Sequence, residues 1–387
     1  MLASKILPLL KSFVSRISGP AQDARPQQIV EGAKERLIAE PWYLDHIATN
    51  ESGQVELRGW AFQPPDVALE NQAGRCTVNG MPPLSIHYPM PRPDVQKVFW
   101  QRRNGEQCGF LVVAEKAYPD GVMEIRFADP SNPSAERGRE SWFLPDPAKH
   151  QNLPDEDRRF RVIGNKDATG FLSLGCTDAH RIQLAYENVT GRRWREIGAV
   201  LDWGVGCGRV ARHIAPDLGD RFFGCDIDAD NIAWCNANLP GSYKPSLLEP
   251  PLPYADNSFD VIYGVSVFTH LRENWELRWL EELHRVLRPG GVVLMTVHGQ
   301  TAIDFAALTP SVYEALMRRV EQEGLAVTSE NHQLDGFVDK PSEYVNVFHS
   351  KAHISKVWGK FFVNIEQLPG YIFTHDLVVA TKSAVAA

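Results

Sequence analysis

Three glycines at alternate positions, Gly204, Gly206 and Gly208, follow Asp202 in the string Val200-Leu-Asp-Trp-Gly-Val-Gly-Cys-Gly-Arg-Val-Ala211. They lie between a short apolar run, Ala199 to Asp202, and a helical pattern from Arg209 to Ile214. Glycine lets the backbone approach a ligand closely, and the start of a helix offers unpaired N–H groups to an anion. Binding of a nucleotide-like cofactor is the chemistry that fits. Counted from Gly206, the string Gly206-x-Gly208-x-x-Ala211 matches the dinucleotide fingerprint; counted from Asp202 it is Asp-x-Gly-x-Gly-x-Gly. The next apolar run, Arg221-Phe-Phe-Gly-Cys-Asp226, ends in an acid. A carboxylate at Asp226 can accept both hydroxyls of a ribose. NAD enzymes place an acid there too, so these residues alone leave both readings open.

Two histidines could move a proton. His270 lies in Ser266-Val-Phe-Thr-His-Leu271, and His298 in Thr296-Val-His-Gly299. Each follows an apolar run, at the carboxyl edge where open α/β sheets bind ligands. An imidazole titrates near neutral pH and can take the proton of a hydroxyl acceptor. The competing reading for both is a capping or packing histidine. Tyr344, Asn346 and His349 form weaker candidates in a segment placed to close over an acceptor, whereas His375 and Asp376 read as strand-end residues. No metal site is expected. The six cysteines, Cys76, Cys108, Cys176, Cys207, Cys225 and Cys235, never form C-x-x-C, and no H-x-x-H or carboxylate cluster stands out. Scattered cysteines in a large chain read as reduced thiols in a cytoplasm.

Alternating strands and helices must position these residues. After Ala179 to Trp194, a helix, come apolar runs ending at Asp202, Asp226, Val265 and Val297, separated by helical patterns at Arg209–Ile214, Asn231–Asn238 and Leu271–Leu287. The last has Trp275, Trp279, Leu283 and Leu287 on one side and stops at Arg288-Pro-Gly-Gly291. Such alternation implies an α/β fold with a doubly wound, Rossmann-like parallel sheet. The front half differs. From residue 43 to 145, short alternating runs such as Gln54–Phe62 and Gly121–Phe127 between turn residues imply a small all-β sandwich, with Val55, Leu57 and Gly59 on one face. Residues 146–161, with Pro147, Pro154 and the charge run Asp155-Glu-Asp-Arg-Arg, read as a linker, leaving 162–387 as the second domain. Residues 1–42 read as a helical segment. Leu2, Ile6, Leu9, Leu10 and Phe13 fall at helical spacing opposite Lys5, Lys11 and Arg16, a pattern for peripheral contact with an anionic membrane or for a packed terminal helix.

Composition narrows the function further. The 387 residues carry 40 Lys+Arg against 48 Asp+Glu, a net charge of −8, with no dense basic cluster. That argues against nucleic acid as partner. No apolar run approaches the roughly 18 residues a membrane span needs. A small molecule or glycan is the partner class left; the oligomeric state is not legible.

Four further segments join the glycine string: Asp226 with its strand, Leu252-Pro-Tyr-Ala-Asp-Asn-Ser-Phe-Asp-Val-Ile262, Ser266–Leu271, and Trp279-Leu-Glu-Glu-Leu-His-Arg-Val-Leu-Arg-Pro-Gly-Gly291. In this order and spacing they resemble the motifs of class I S-adenosylmethionine-dependent methyltransferases, over about Phe171 to Ser383. The resemblance implies S-adenosylmethionine as cofactor. It implies that Asp202 heads the glycine motif and that Gly208 completes it as a cofactor-binding residue, that Gly204 and Gly206 line the methionine moiety, that Asp226 holds the ribose and that Ile227 flanks the adenine. Leu248 and Glu249 match the segment that meets the adenine edge, although Pro250-Pro251 departs from the usual text there. Gly264 and Val265 would offer carbonyls to the amino group. The pair Ser266…His270 is similar to a turn in phosphoethanolamine methyltransferases that carries an acid and a histidine. The wording of these motifs resembles a bacterial subgroup associated with glycan biosynthesis. Gly59-Trp-Ala61, Arg92-Pro-Asp-Val95 and Cys108-Gly-Phe110 resemble a β-sandwich module found beside glycosyltransferases, in which Trp60 or Trp100 could stack on sugars or hold two sheets together. The expectation is a cytoplasmic enzyme, in part peripheral to the inner membrane, that O-methylates a sugar, glycan or glycolipid hydroxyl. The competitors are an NAD(P) oxidoreductase on the same glycine loop and a non-enzymatic glycan-binding protein on the same scaffold.

Overall fold

A computed structural model describes residues 42–62, 76–100, 105–127, 140–306, 309–330 and 345–384. The helical segment expected at residues 1–42 lies, but for Trp42, outside these residues, and so does Tyr344.

The front half folds as two antiparallel sheets around one core. One has the order β1 (Trp42–Thr49), β2 (Val55–Ala61), β5 (Gln107–Ala114), β4 (Ser85–Pro91); the other has β3 (Cys76–Val78), β6 (Val122–Phe127), β7 (Ser141–Pro145). Val55 and Leu57 of β2 and Met123, Ile125 and Phe127 of β6 alternate into the shared interior, as period-two patterning dictates. Aromatic edges fill it: Trp42 packs on Phe127 and Trp142 with ring centroids 5.1 and 5.8 Å apart. Trp60 is 1% exposed and lies among Tyr43, Phe62 and Phe99, so it joins the core and cannot stack on a sugar. A short helix, α1 (Pro93–Val98), follows Arg92, whose guanidinium grips both oxygens of Asp94 and reaches Asp45.

The stretch expected as a linker is structured. Asp155 caps a helix, α2 (Glu156–Ile163), by accepting the Arg158 N–H, and Gly164 ends it in the left-handed conformation. The charge run is therefore the helix's cap and first turn. A long helix, α3 (Ala168–Thr190), follows, capped by Asp167 and ended by Gly191. It backs the sandwich directly. Phe143 of β7 stacks on His180 at 4.5 Å, and its N–H donates to Thr177 Oγ1 at 3.0 Å. Arg181 is buried and donates to the carbonyls of Ser141 (3.0 Å) and Tyr371 (3.2 Å).

The second half holds a seven-stranded sheet in the order β10 (Ser242–Pro245), β9 (Phe222–Asp226), β8 (Val200–Trp203), β11 (Phe259–Gly264), β12 (Leu287–Val297), β16 (His375–Thr381), β15 (Val363–Ile372). The first five strands run parallel, while β16 is antiparallel to both β12 and β15. Both faces are covered, which explains the unbroken apolar runs. Val200, Phe222, Tyr263 and Leu294 pack on one face with α4 (Ala211–Leu218) and α5 (Ala229–Asn238). Leu201, Ile262, Val293 and Met295 pack on the other with α6 (Glu273–Val286). The usual dinucleotide-binding sheet is mostly parallel, with six strands in the order 3-2-1-4-5-6. The antiparallel hairpin β15–β16 departs from that plan.

Between β12 and β15 the chain adds α7 (Gln300–Ala306), α8 (Pro310–Glu323), β13 (Leu325–Glu330), β14 (Val345–His349) and α9 (Lys351–Trp358). β13 and β14 pair antiparallel, and β14 crosses the carboxyl edge of the main sheet, where the His349 N–H donates to the His298 carbonyl at 2.8 Å. No helix among the described residues is long and apolar enough to cross a membrane. All six cysteines are buried free thiols.

Candidate active site

A cavity opens at the carboxyl ends of β8, β9 and β11, where the strand order reverses. Its floor is the turn after β8. Gly204 and Gly206 both have positive φ, +82° and +54°, a region that favours glycine. A side chain at Gly204 would also strike Val267 Cγ2 at 2.6 Å, and one at Gly206 would press on Val162 at 3.0 Å. The turn is bolted to the neighbouring strand by the N–H groups of Gly204 and Val205, which share the Cys225 carbonyl at 2.8 and 3.0 Å.

Asp226 ends β9 at the same level and lines the cavity. Its carboxylate accepts the Gly206 N–H at 2.7 Å and the Asp228 N–H at 2.9 Å. Burial raises its pKa, and these two N–H bonds oppose the rise. Asp228 then caps α5, accepting from the N–H groups of Asp230 and Asn231. Arg161 of α2 lies 3.3 Å from Asp228, so the helix from the expected linker closes one side of the cavity with Arg161 and Val162. Trp203, Ile227, Leu247, Leu248, Val265 and Trp279 supply apolar walls.

The far end of the cavity is built by the turn after β11. Ser266 is a non-glycine residue at φ +62°, held there by its N–H bond to Thr296 Oγ1 (2.6 Å) and its hydroxyl contact with Thr269 (3.1 Å). Backbone strain of this kind collects at working sites. The turn carries His270 into the wall of the cavity, with Nδ1 2.9 Å from the Val345 carbonyl of β14. A carbonyl only accepts, so Nδ1 holds the proton and Nε2 is the basic nitrogen.

Residues 201–295 match a family model described as a methyltransferase domain. These residues are a methyltransferase domain. S-adenosylmethionine is the cofactor of such a domain, and the match displaces the NAD(P) oxidoreductase reading. Among curated relatives, a probable S-adenosylmethionine-dependent methyltransferase of Mycolicibacterium smegmatis is 35% identical over 29% of this chain and 42% of its own. A fatty-acid O-methyltransferase of the same organism is 32% identical over 38% of this chain and 55% of its own. The chain thus spans about half the length of these relatives. Among solved structures, an S-adenosylmethionine-dependent methyltransferase from Methanosarcina mazei is similar to 52% of this chain and 99% of its own, at 16% identity and a TM-score of 0.37.

The cavity suits this cofactor. A half-buried carboxylate at its side, a glycine turn without side chains at its floor and apolar walls match a ribose, a methionine chain and an adenine in turn. Of the residues singled out from the sequence, Gly204, Gly206, Asp226, Ile227, Leu248, Val265 and His270 line it. Gly264 stands just behind, against Met295 and Trp203. Gly208 packs under Leu239 and Cys235, supporting the turn. Asp202 points away from the cavity. It is 3% exposed, accepts the Tyr263 hydroxyl at 2.8 Å, and burial pushes its carboxyl up to about 7. Glu249 is exposed and faces Arg278 at 3.6 Å. His298 lies behind His270, 1% exposed between Phe348 and His375, and burial holds its pKa well below the ordinary value. A depressed pKa makes it a poor base. Arg161, Val162, Trp203 and Trp279 were missed; only the amphipathic pattern of α6 hinted at Trp279.

Proposed function

We propose that the whole chain transfers a methyl group from S-adenosylmethionine to a hydroxyl of a sugar, glycan or glycolipid, with His270 as the base. The observation that carries this reading is the His270 Nδ1 contact with the Val345 carbonyl at the cavity wall. When bound, the cofactor supplies a methyl group already activated on a sulfonium. The protein has to align the acceptor, exclude water and remove its proton. Asp226 would accept hydrogen bonds from the ribose hydroxyls, and the turn at Gly204 and Gly206 would bed the methionine chain. Trp203, Val265 and Leu271 keep the reaction space apolar. His270 Nε2 would take the acceptor's proton, while the Val345 carbonyl stabilises the imidazolium through Nδ1–H.

Support for a hydroxyl acceptor comes from this single tautomer-fixed base. Support for carbohydrate comes from the glycan-associated wording of the motifs and from the sandwich in front. The net charge of −8 speaks against nucleic acid. The test is methyl transfer from labelled cofactor to a panel of sugars and oligosaccharides, with a fatty acid and phosphoethanolamine as comparison acceptors. His270→Ala should lower kcat by about 10²–10⁴-fold, the usual weight of a general base. Affinity for S-adenosylhomocysteine should stay within about threefold, because proton removal contributes nothing to ground-state binding. Transfer to the fatty acid or the amine in preference to every sugar would overturn the acceptor class. Normal cofactor binding with no transfer to any acceptor would favour a binding protein on the same scaffold.

A further inference from the structure

Outside the cavity, three buried side chains from three elements converge. Glu276 of α6 is 0% exposed, His349 at the end of β14 is 2%, and His353 in the first turn of α9 is 7%. His353 Nε2 lies 2.7 Å from Glu276 Oε2, and His349 Nε2 lies 3.5 Å from Glu276 Oε1. One candidate ligand atom from each residue falls within 4.8 Å of the others. Trp358 Nε1–H donates to Glu276 Oε1 at 2.8 Å, orienting the carboxylate from outside. Ser350 caps α9 by accepting the His353 N–H at 3.0 Å, which fixes the turn carrying both histidines.

Buried charges are paired or coordinate metals. Among the described residues, Glu276 has no Lys or Arg within ion-pair distance; its ionic partners are the two imidazoles. His349 matters most. Both of its ring nitrogens are buried without a hydrogen-bond partner, although Nε2 is aimed at the carboxylate. With the proton on Nε2, its N–H stands 3.5 Å from the carboxylate, too far for a good hydrogen bond, and with the proton on Nδ1 the Nε2 lone pair faces an anion; neither arrangement satisfies the ring. A cation between the groups takes up the Nε2 lone pair and pairs the buried carboxylate at once. Ligands bonded tetrahedrally to zinc at about 2.0–2.1 Å stand about 3.3 Å apart, close to the His349–Glu276 separation.

We propose that Glu276, His349 and His353 bind a zinc ion that pins β14 and α9 to α6. Two imidazoles and one carboxylate fill three of the four positions of a tetrahedral zinc, with one water for the fourth, whereas an octahedral ion such as magnesium prefers oxygen ligands throughout. The Trp358 indole then plays the part of the outer partner that orients a ligating carboxylate. His353 Nε2 must draw back from Glu276 by roughly half an ångström to admit the ion. The sequence expectation of no metal site missed it because His349 and His353 are spaced H-x-x-x-H across a strand–helix junction, with Glu276 far upstream. The site also has a role for the chemistry. Zinc would fix β14, whose Val345 carbonyl sets the His270 tautomer, making the three ligands positioning residues.

The test uses the full chain, purified without chelators and then incubated with zinc chloride and desalted. Elemental analysis should find about one zinc per chain, and a chromophoric chelator should compete for it. His349→Ala and His353→Ala should lose the metal. Trp358→Phe, a milder change, should retain the fold and weaken zinc affinity about 10–100-fold. EDTA should lower the thermal midpoint of the wild type and leave that of His349→Ala unmoved. Less than about a tenth of an equivalent of zinc in the wild type, with a midpoint indifferent to zinc and EDTA, would overturn the proposal and leave a metal-free Glu–His network.

Discussion

Arg181→Leu should uncouple the sandwich from the catalytic sheet. The guanidinium is 4% exposed and joins three elements: its own helix α3, the Ser141 carbonyl of β7 and the Tyr371 carbonyl of β15. A hydrogen bond to a charged group is worth about 1.5–3 kcal/mol, so two give roughly 3–6 kcal/mol before relaxation. Leucine keeps much of the apolar volume but leaves both carbonyls buried without this donor. Partial repair by water would bring the loss toward the lower figure. Differential scanning calorimetry should show one transition for the wild type, because the interface is continuous with both cores. Tyr43 meets Phe373 at 4.8 Å and Phe99 meets Phe305 at 4.6 Å. In Arg181→Leu the transition should move down by several degrees and broaden or split as the halves unfold separately. A midpoint unchanged within error would refute the reasoning. So would a fragment of residues 146–387 that folds and binds cofactor like the full chain, because the sandwich would then be a dispensable appendage.

Two further substitutions test the site. Asp202 is held protonated up to about 7, above the roughly 3.9 of an unfolded aspartate, so the folded state binds the extra proton and stability falls as pH rises between those values. Asp202→Asn keeps an acceptor for Tyr263, should flatten that slope and raise stability at pH 8 by a few kcal/mol in urea unfolding, and should leave S-adenosylhomocysteine affinity within about threefold. Arg161→Ala removes a cation that lines the cavity and faces Asp228, and should weaken S-adenosylhomocysteine about two- to fivefold in calorimetry, the upper range of a solvent-screened ion pair; unchanged affinity would remove α2 from the site.

What was legible in the sequence followed from local chemistry. The strands at Val200, Phe222, Phe259 and Leu287 are apolar because both faces of the sheet are covered, and the first two end at residues that line the cavity, Trp203 and Asp226. The glycine string located the floor, and Asp226 the carboxylate beside it. Local pattern could not distinguish a dinucleotide sheet from a methyltransferase sheet at the glycines, because a close backbone approach to either cofactor asks for the same small residues there. Asp202 and Asp226 look alike in sequence, yet only one lines the cavity. Side chains of neighbouring strand residues alternate faces, and Asp202 takes the face of Tyr263 while Trp203 takes the cavity side. The charge run at Asp155 resembled a linker because α2 is short and polar, with none of its residues buried. Its role comes from where it lies, over the cavity. His298 and His270 both follow strands, and only tertiary packing shows that one sits at the wall and the other behind it.

The most direct measurement is titration calorimetry of the full chain with S-adenosylhomocysteine, set beside NADH and beside Asp226→Ala. One site per chain should bind S-adenosylhomocysteine and ignore NADH. Asp226→Ala, with its fold verified by circular dichroism, should bind about 10–100-fold more weakly, the equivalent of about 1.5–3 kcal/mol for lost bonds to a charged carboxylate. Absence of heat with S-adenosylhomocysteine, binding of NADH in its place, or full affinity in folded Asp226→Ala would contradict a methyltransferase cofactor site at this turn.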